Sequence, residues 1–393
     1  MSVRHQLPAY SPIGVDALWS VLGATLRRGC HLRELKDVLA VEYGATDVRL
    51  FETGTQALQM ALTLAIAKVG GPVALPAFSC FDVGAAAVGV GATITLYDVD
   101  PGTLSPDIDS LRRTIAAGAR VIVIAPLYGY PINWDPIEAL VGQTGAIAIE
   151  DAAQGDGGFW RGRPIGSFGP MSVLSFGRGK GWTGGSGGAL LMRSSATTEP
   201  SVAPASGDDR VAEGRRLLAF AVQWAMGRPS LYSIPAALPW LHLGETVYRA
   251  PGPIRQMASS VSAGIAATRA DARQEAVVRR GNAERLTAAL QARSAVCPTG
   301  VCYGGVAGYL RLAVRVPGGL EALRDPRRAR RLGIMRSYPQ ILAHLPAVRS
   351  RMKMTASRWR GAESLVRSLV TFPTHSLLAA EDFDAVVSQV GLT

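Results

Sequence analysis

Between residues 48 and 151 the chain alternates short β-branched apolar runs with stretches of helical spacing, a pattern that few architectures accommodate. Val48–Phe51, Pro72–Pro76, Ala92–Tyr97, V-I-V-I-A (Val121–Ala125) and A-I-A-I-E-D (Ala146–Asp151) read as strands. Helical patterns over Ala57–Val69, Asp82–Val90, Ile108–Ala117 and Pro136–Thr144 separate them. Parallel neighbours need a long crossover, which a helix supplies, and strands covered on both faces become continuous apolar runs. The pattern therefore predicts an α/β fold with a largely parallel sheet between helical layers.

Gly14–Tyr43 precedes this region with helical spacing, and the second half is less regular. Thr197–Gly207 is small and polar, hence a loop. Arg215–Met226 is apolar but far too short to cross a bilayer. Pro229–Glu245 reads as irregular and apolar, suited to a subunit interface or core packing, with a membrane or an apolar substrate as the alternative. A long helix is expected over Ser259–Arg293, then a strand at Gly308–Val316, a helix near Leu320–Leu332 and a terminal helix at Glu381–Val390. The expected division is a large domain, 14–255, with an apolar insertion about 210–250, and a smaller α+β domain, 256–393.

Composition narrows the function classes. With 48% hydrophobic and 18% charged residues the chain is that of a globular protein. The formal charge of +11 is concentrated in Arg324–Arg331 and Val348–Arg360. No aromatic–basic interleaving or zinc-finger spacing accompanies it, so a solvated basic face is expected rather than nucleic-acid binding, with an anionic substrate or membrane surface as second choice. The four cysteines, Cys30, Cys80, Cys297 and Cys302, form no disulfide or zinc framework. The first ten residues lack an apolar signal core, and a reducing cytoplasm is the expected setting.

The chemistry centres on Ser172–Met192, S-V-L-S-F-G-R-G-K-G-W-T-G-G-S-G-G-A-L-L-M: a strand, a glycine-rich loop holding Lys180, and a second strand. A lysine on a loop built for close backbone approach is a candidate Schiff-base former, activated by desolvation or by a nearby cation such as Arg178. Asp151 ends a buried strand, where a carboxylate must be paired; a protonated ring nitrogen or an ordinary structural partner would both serve. Gln154, one turn on, either donates to a phenolate oxygen or packs. Gly54 and Thr55 open a helix and suit a phosphate, although Thr is also a common cap. Ser175 is positioned to add a hydroxyl. Leu174 and Gly181 break a P-loop, no G-x-G-x-x-G follows the first strand, no G-x-S-x-G elbow is present, and the five histidines have no metal-ligand spacing.

Taken in order, T-G-T-Q-A-L, L-P-A-F-S-C, G-A-T-I-T-L-Y-D-V-D-P-G-T-L, P-L-Y-G-Y-P, I-E-D-A-A-Q-G-D-G-G, G-R-P-I-G-S-F-G, L-S-F-G-R-G-K with G-G-S-G-G-A-L-L, R-S-Y-P-Q-I-L and L-V-T-F-P-T-H-S-L-L resemble the DegT/StrS family of pyridoxal-phosphate-dependent aminotransferases. The resemblance implies fold type I, with a mostly parallel seven-stranded sheet in the large domain. It implies Lys180 as the Schiff-base lysine, Asp151 as partner of the pyridine nitrogen, Gln154 beside the phenolic oxygen, and Gly54, Thr55 and Ser175 as the phosphate cradle. Cys80 stands where the family stacks an aromatic ring on the cofactor; Phe81 or Phe78 is the expected substitute, with the Cys80 thiol packing there itself as the alternative. Gly181 replaces a usual asparagine, and the family's Arg-Met-Ser segment is only faint in Ile254–Ser260. The implied protein is a homodimer with a shared active site, passing an amino group from an amino acid, glutamate by expectation, to a nucleotide-linked keto sugar. A lipid-linked or other non-sugar ketone, and a non-catalytic binding member of the fold, are the alternatives.

Overall fold

The structure is a computed structural model describing residues 5–27, 31–193, 210–236, 246–292, 296–353 and 358–390. Its centre is a seven-stranded sheet of β1 (Asp47–Phe51), β2 (Val73–Pro76), β3 (Ile94–Tyr97), β4 (Val121–Ile124), β5 (Ile147–Asp151), β6 (Met171–Ser175) and β7 (Gly188–Met192), in the order β1-β7-β6-β5-β4-β2-β3. β2 lies parallel to β3 and β4, β4 to β5, and β5 to β6. β7 alone runs against its neighbours, β1 and β6. Every residue of β2, β3, β4 and β7 is buried, which is why these segments show no polar alternation. The six co-directional strands end along one edge, where ligands of open α/β sheets bind.

Helices follow at the expected places, at Gly54–Val69, Phe81–Gly89, Ile108–Ala116 and Asp135–Thr144. Helix Ser259–Gln291 joins the two halves of the chain. Val261, Ile265 and Ala272 pack with Leu174, Phe176 and Trp182 of the large sheet's region. Ala283, Leu286 and Leu290 pack with Leu312, Val314 and Phe372 of a second, antiparallel sheet. That sheet orders Cys297–Pro298, Leu312–Arg315, Leu369–Phe372 and Met335–Arg336.

Three expectations need correction. The helix expected near Leu320–Leu332 is a 3-10 turn, Gly319–Ala322, and a separate helix, Pro326–Arg331. Asp325 caps the latter by accepting from the Arg328 N–H at 2.9 Å, and Pro326 lacks the N–H that an uninterrupted helix needs. The strand expected over Gly308–Val316 is confined to Leu312–Arg315, because the Gly308 and Leu310 N–H groups donate instead to Gly129 O (2.8 Å) and Tyr128 O (2.9 Å). Pro229–Ala236 is helical rather than irregular, with proline at its first position. Residues 237–245 and the loop expected at Thr197–Gly207 lie outside the described residues. Among the described residues no helix is long and apolar enough to cross a membrane.

Glu150 precedes Asp151 on β5 and is completely buried. It accepts from the Phe168 N–H (2.9 Å) and Ser172 Oγ (3.2 Å), yet burial outweighs these contacts and the nearby Arg193, raising its pKa to about 7. A carboxyl group whose folded pKa lies above its unfolded value of 4.5 favours folding below pH 4.5, and that contribution is lost as pH rises through 7. Glu150→Gln is expected to remove this loss, making the variant more stable relative to wild type at pH 8 than at pH 5 by on the order of 2 kcal/mol in urea unfolding.

Candidate active site

A cleft of about 470 Å3, including space open to solvent, lies at the carboxyl edge of the sheet. Gly54, Thr55, Cys80, Asp151, Gln154, Ser175 and Lys180 all line it. They arrive from five places: the turns after β1 and β2, the end and exit of β5, the end of β6, and the β6–β7 loop.

The β1 turn is set by Thr53, whose hydroxyl accepts from the Gln56 N–H (3.2 Å) and starts helix Gly54–Val69 at the cleft wall. A Cβ on Gly54 would lie 2.7 Å from Ser175 Cβ and 2.9 Å from its Oγ. The helix N-terminus and the serine hydroxyl thus meet only because residue 54 is glycine. Asp151 Oδ1 accepts from the Ala153 N–H at 3.2 Å. Burial raises the Asp151 pKa, the Lys180 charge and the Ala153 N–H oppose the rise, and Asp82 adds to it. Among the described residues Lys180 forms no ion pair within 4.0 Å, although its charge acts on both Asp151 and Cys80. Arg178 is exposed, and its charge acts on the Tyr232 hydroxyl.

The aromatic stack expected beside Cys80 is not formed by Phe81 or Phe78. Both rings are buried (3% and 0% exposed) and pack around Tyr338, with centroids 6.4 and 5.2 Å away. Phe81 opens helix Phe81–Gly89 and faces the core, which removes it from the cleft wall. The wall carries the Cys80 thiol itself. Burial and the Asp82 carboxylate push its pKa up to about 12, so the neutral thiol donates to Asp82 Oδ2 at 3.7 Å. Gln154 packs and bonds at once: its Oε1 accepts from the Tyr128 N–H (2.9 Å), and its Nε2 donates to the Tyr338 hydroxyl (2.8 Å). Tyr128 and Ser337 share a further hydroxyl–hydroxyl bond.

Sequence reasoning passed over Ser79, Asp82 and Pro126 on the cleft wall, and Arg311 behind it. Asp82 was legible as an acidic residue in a helix's first turn, two places from Cys80. Arg311 follows Leu310, whose N–H bonds Tyr128 O. Its Nη2 donates to the carbonyls of Gly333 (3.2 Å) and Thr371 (3.4 Å), and among the described residues it has no acidic partner. Burial lowers its pKa to about 10, while Tyr128, Tyr232 and Tyr338 oppose the shift. Among the described residues no group of three or more His, Cys, Asp or Glu is arranged to hold a metal ion.

The glycines of the Lys180 loop serve packing. A Cβ on Gly184 would lie 2.5 Å from Ile265 Cγ1 on the long helix. On Gly188 it would lie 2.4 Å from the backbone carbon and oxygen of Thr53, the residue that caps helix Gly54–Val69. Gly177 meets only Ser175 Oγ at 3.8 Å. Gly188→Ala should therefore lower stability by about 2–4 kcal/mol, while Gly177→Ala should stay within about 1 kcal/mol of wild type. Equal denaturant midpoints for the two would contradict this packing account.

Residues 16–203 match the model of the DegT/DnrJ/EryC1/StrS aminotransferase family, and over that stretch the resemblance carried by the motifs is borne out. The L-glutamine:2-deoxy-scyllo-inosose aminotransferase of Streptoalloteichus tenebrarius is 31% identical over 178 residues, 42% of this chain and 42% of that one. The chain thus spans about two-fifths of the length of that curated relative. The crystal structure of 3-amino-5-hydroxybenzoic acid synthase superposes with a TM-score of 0.74 at 20% identity, covering 98% of both chains. DesI, solved in the presence of its TDP-sugar product, superposes at 0.74 and 18% identity, covering 99% of this chain and 93% of that one. These likenesses establish the fold type I architecture.

Proposed function

We propose that this chain, whose residues 16–203 match an aminotransferase family, is a pyridoxal-phosphate-dependent aminotransferase acting on a keto group of a sugar or cyclitol ring. The observation that carries the reading is the shared cleft, in which Lys180, Asp151 and the Gly54–Ser175 cradle face one space. The fit to the cofactor is chemical. The cradle offers a helix N-terminus and a hydroxyl to a phosphate, Asp151 offers a carboxylate to a ring nitrogen, and Lys180 offers an amine without an ion-pair partner.

When bound, pyridoxal phosphate supplies a carbonyl that captures amines and a ring that accepts the electron pair of the neighbouring carbon. Lys180 would hold that carbonyl and, once released, carry a proton at Nζ as general acid and base. Asp151 is oriented by the Ala153 N–H, and its ionised form keeps the ring nitrogen protonated. Thr55 and Ser175 fix the phosphate end, and Gln154 is held in place from both sides by Tyr128 and Tyr338. The neutral Cys80 thiol presents a small, polarisable wall where a ring would otherwise stack. For the amino donor, glutamate is our assignment.

The acceptor we favour is a nucleotide-linked keto sugar; an unlinked cyclitol ketone is the second reading, favoured by the 31%-identical relative. Two copies acting together fit the apolar side chains exposed on helices Val15–Arg27 and Arg210–Met226, among them Trp19, Leu26, Leu218 and Val222. A cytoplasmic setting fits Cys80, Cys297 and Cys302, which form no disulfide among the described residues. A domain border near residue 255 fits the end of the large sheet at Met192 and the start of the second at Cys297.

Borohydride reduction of the pyridoxal-phosphate-loaded protein should leave its adduct on Lys180, and Lys180→Ala should carry none and lose at least about 10³-fold in turnover. An unchanged adduct mass in that variant would sink the assignment. Asp151→Asn should still be trapped yet turn over about 10²–10⁴-fold more slowly. An assay pairing glutamate with a nucleotide-linked keto sugar or an unlinked cyclitol ketone separates the two acceptor readings.

A further inference from the structure

We infer that the ion pair between half-buried Asp156 and buried Arg279 positions Lys180, clamping the turn Gly179–Gly181 onto the loop that carries Asp151 and Gln154. The inference rests on Lys180 being the residue that holds the cofactor.

Asp156 lies five residues beyond Asp151 on the β5 exit loop, and Arg279 comes from the middle of helix Ser259–Gln291. Arg279 is completely buried. Its Nη2 donates to Asp156 Oδ2 (2.7 Å) and to the Asp156 carbonyl (3.1 Å), and its Nε donates to Gly308 O (3.1 Å). One guanidinium thus ties the long helix, the β5 exit loop and the entry to the second sheet. The Lys180 turn rests on this pair. Gly181 has φ +80°, and a Cβ there would lie 2.2 Å from Asp156 Oδ2 and 2.7 Å from Arg279 Nη1.

A second hollow brings Asp156 and Lys180 to one space. It is lined by Tyr43, Asp156, Ser175, Lys180 and Trp182, so Lys180 and Ser175 border both spaces. Among the described residues Arg279 Nη1 is buried with no hydrogen-bond partner. An unpaired guanidinium nitrogen is costly to bury, and its retention directly under the glycine after Lys180 indicates a placement required by the loop above it. Burial raises the Asp156 pKa, with the Arg279 charge opposing it. The charged and titratable groups around Lys180 are therefore Asp151, Asp82 and Cys80 in the cleft, Arg178 in its own loop, and Asp156, Arg279 and Tyr43 beneath.

The pair touches neither the cleft wall nor a reacting atom, so its role is to position. Breaking it leaves Arg279 uncompensated under the lysine, which disfavours the protonated form of the cofactor linkage. In the pyridoxal-phosphate-loaded protein, Asp156→Asn is expected to move the pH midpoint of the visible cofactor band downward by about half a unit or more. Gly181→Ala keeps both charges but pushes the turn off the pair, and should slow borohydride trapping on Lys180 about tenfold or more with the far-ultraviolet circular dichroism unchanged. Loss of thermal stability alone, with wild-type midpoint and trapping rate in either folded variant, would overturn the inference. If Asp156→Asn does not fold, the trapping rate of Gly181→Ala decides. Wild-type protein that is not trapped at Lys180 overturns the cofactor reading and this inference with it, whereas wild-type trapping with indifferent variants overturns this inference alone.

Discussion

At the carboxyl edge of the sheet three backbones run closer than side chains would permit, and the site is built from that approach. Gly54 lies against Ser175, Gly188 against the Thr53 backbone, and Gly181 against the Asp156–Arg279 pair. Each contact joins segments far apart in sequence. β1 reaches β6 through Gly54, β7 reaches the β1 turn through Gly188, and the Lys180 loop reaches the long helix through Gly181 and Gly184. Larger residues would separate the helix N-terminus, the Ser175 hydroxyl and the Lys180 amine, so their meeting at one cleft depends on a single geometric condition.

Electrostatics is arranged around that frame with few spare charges. The cleft holds two carboxylates, Asp151 and Asp82, and one ammonium, Lys180; burial raises Asp151 while Lys180 restrains it. On the same strand Glu150 is buried among the Phe168 N–H, Ser172 and Arg193, and it never reaches the cleft. Adjacent strand residues point to opposite faces, so one carboxylate serves structure and its neighbour faces the ligand space. The tyrosines form a second polar layer, in which Gln154 links Tyr128 and Tyr338 and Arg311 lies behind them without an acidic partner among the described residues.

Much of this was legible in the chain. The continuous apolar runs from Val48 to Asp151 announced strands buried on both faces, because a half-exposed strand would alternate. Lys180 stood out by its glycine-rich loop and Asp151 by its place, since a polar group at the end of a buried strand needs a partner, while Gln154, Ser175, Gly54 and Thr55 took their expected roles from the family resemblance. Less was legible where a local signal had two outcomes. Phe81 is an aromatic residue beside Cys80 in sequence, yet helix rotation sends its ring to Tyr338. Gly308–Val316 has strand composition throughout, yet the Tyr128 and Gly129 carbonyls take the hydrogen bonds of its first residues.

The sequence by itself determined the α/β layering and the position of the lysine loop, because periodicity and composition act over a few residues and need no knowledge of distant partners. The tertiary structure alone decided what the loop's glycines are for. Their neighbours, Thr53, Asp156, Ile265 and Arg279, lie from 25 to 135 residues away along the chain and within 3 Å of a missing Cβ in space. It also decided that a thiol, not a phenyl ring, faces the cleft beside Asp82. Contact between distant segments follows from the packing of the whole chain, and no local pattern encodes it.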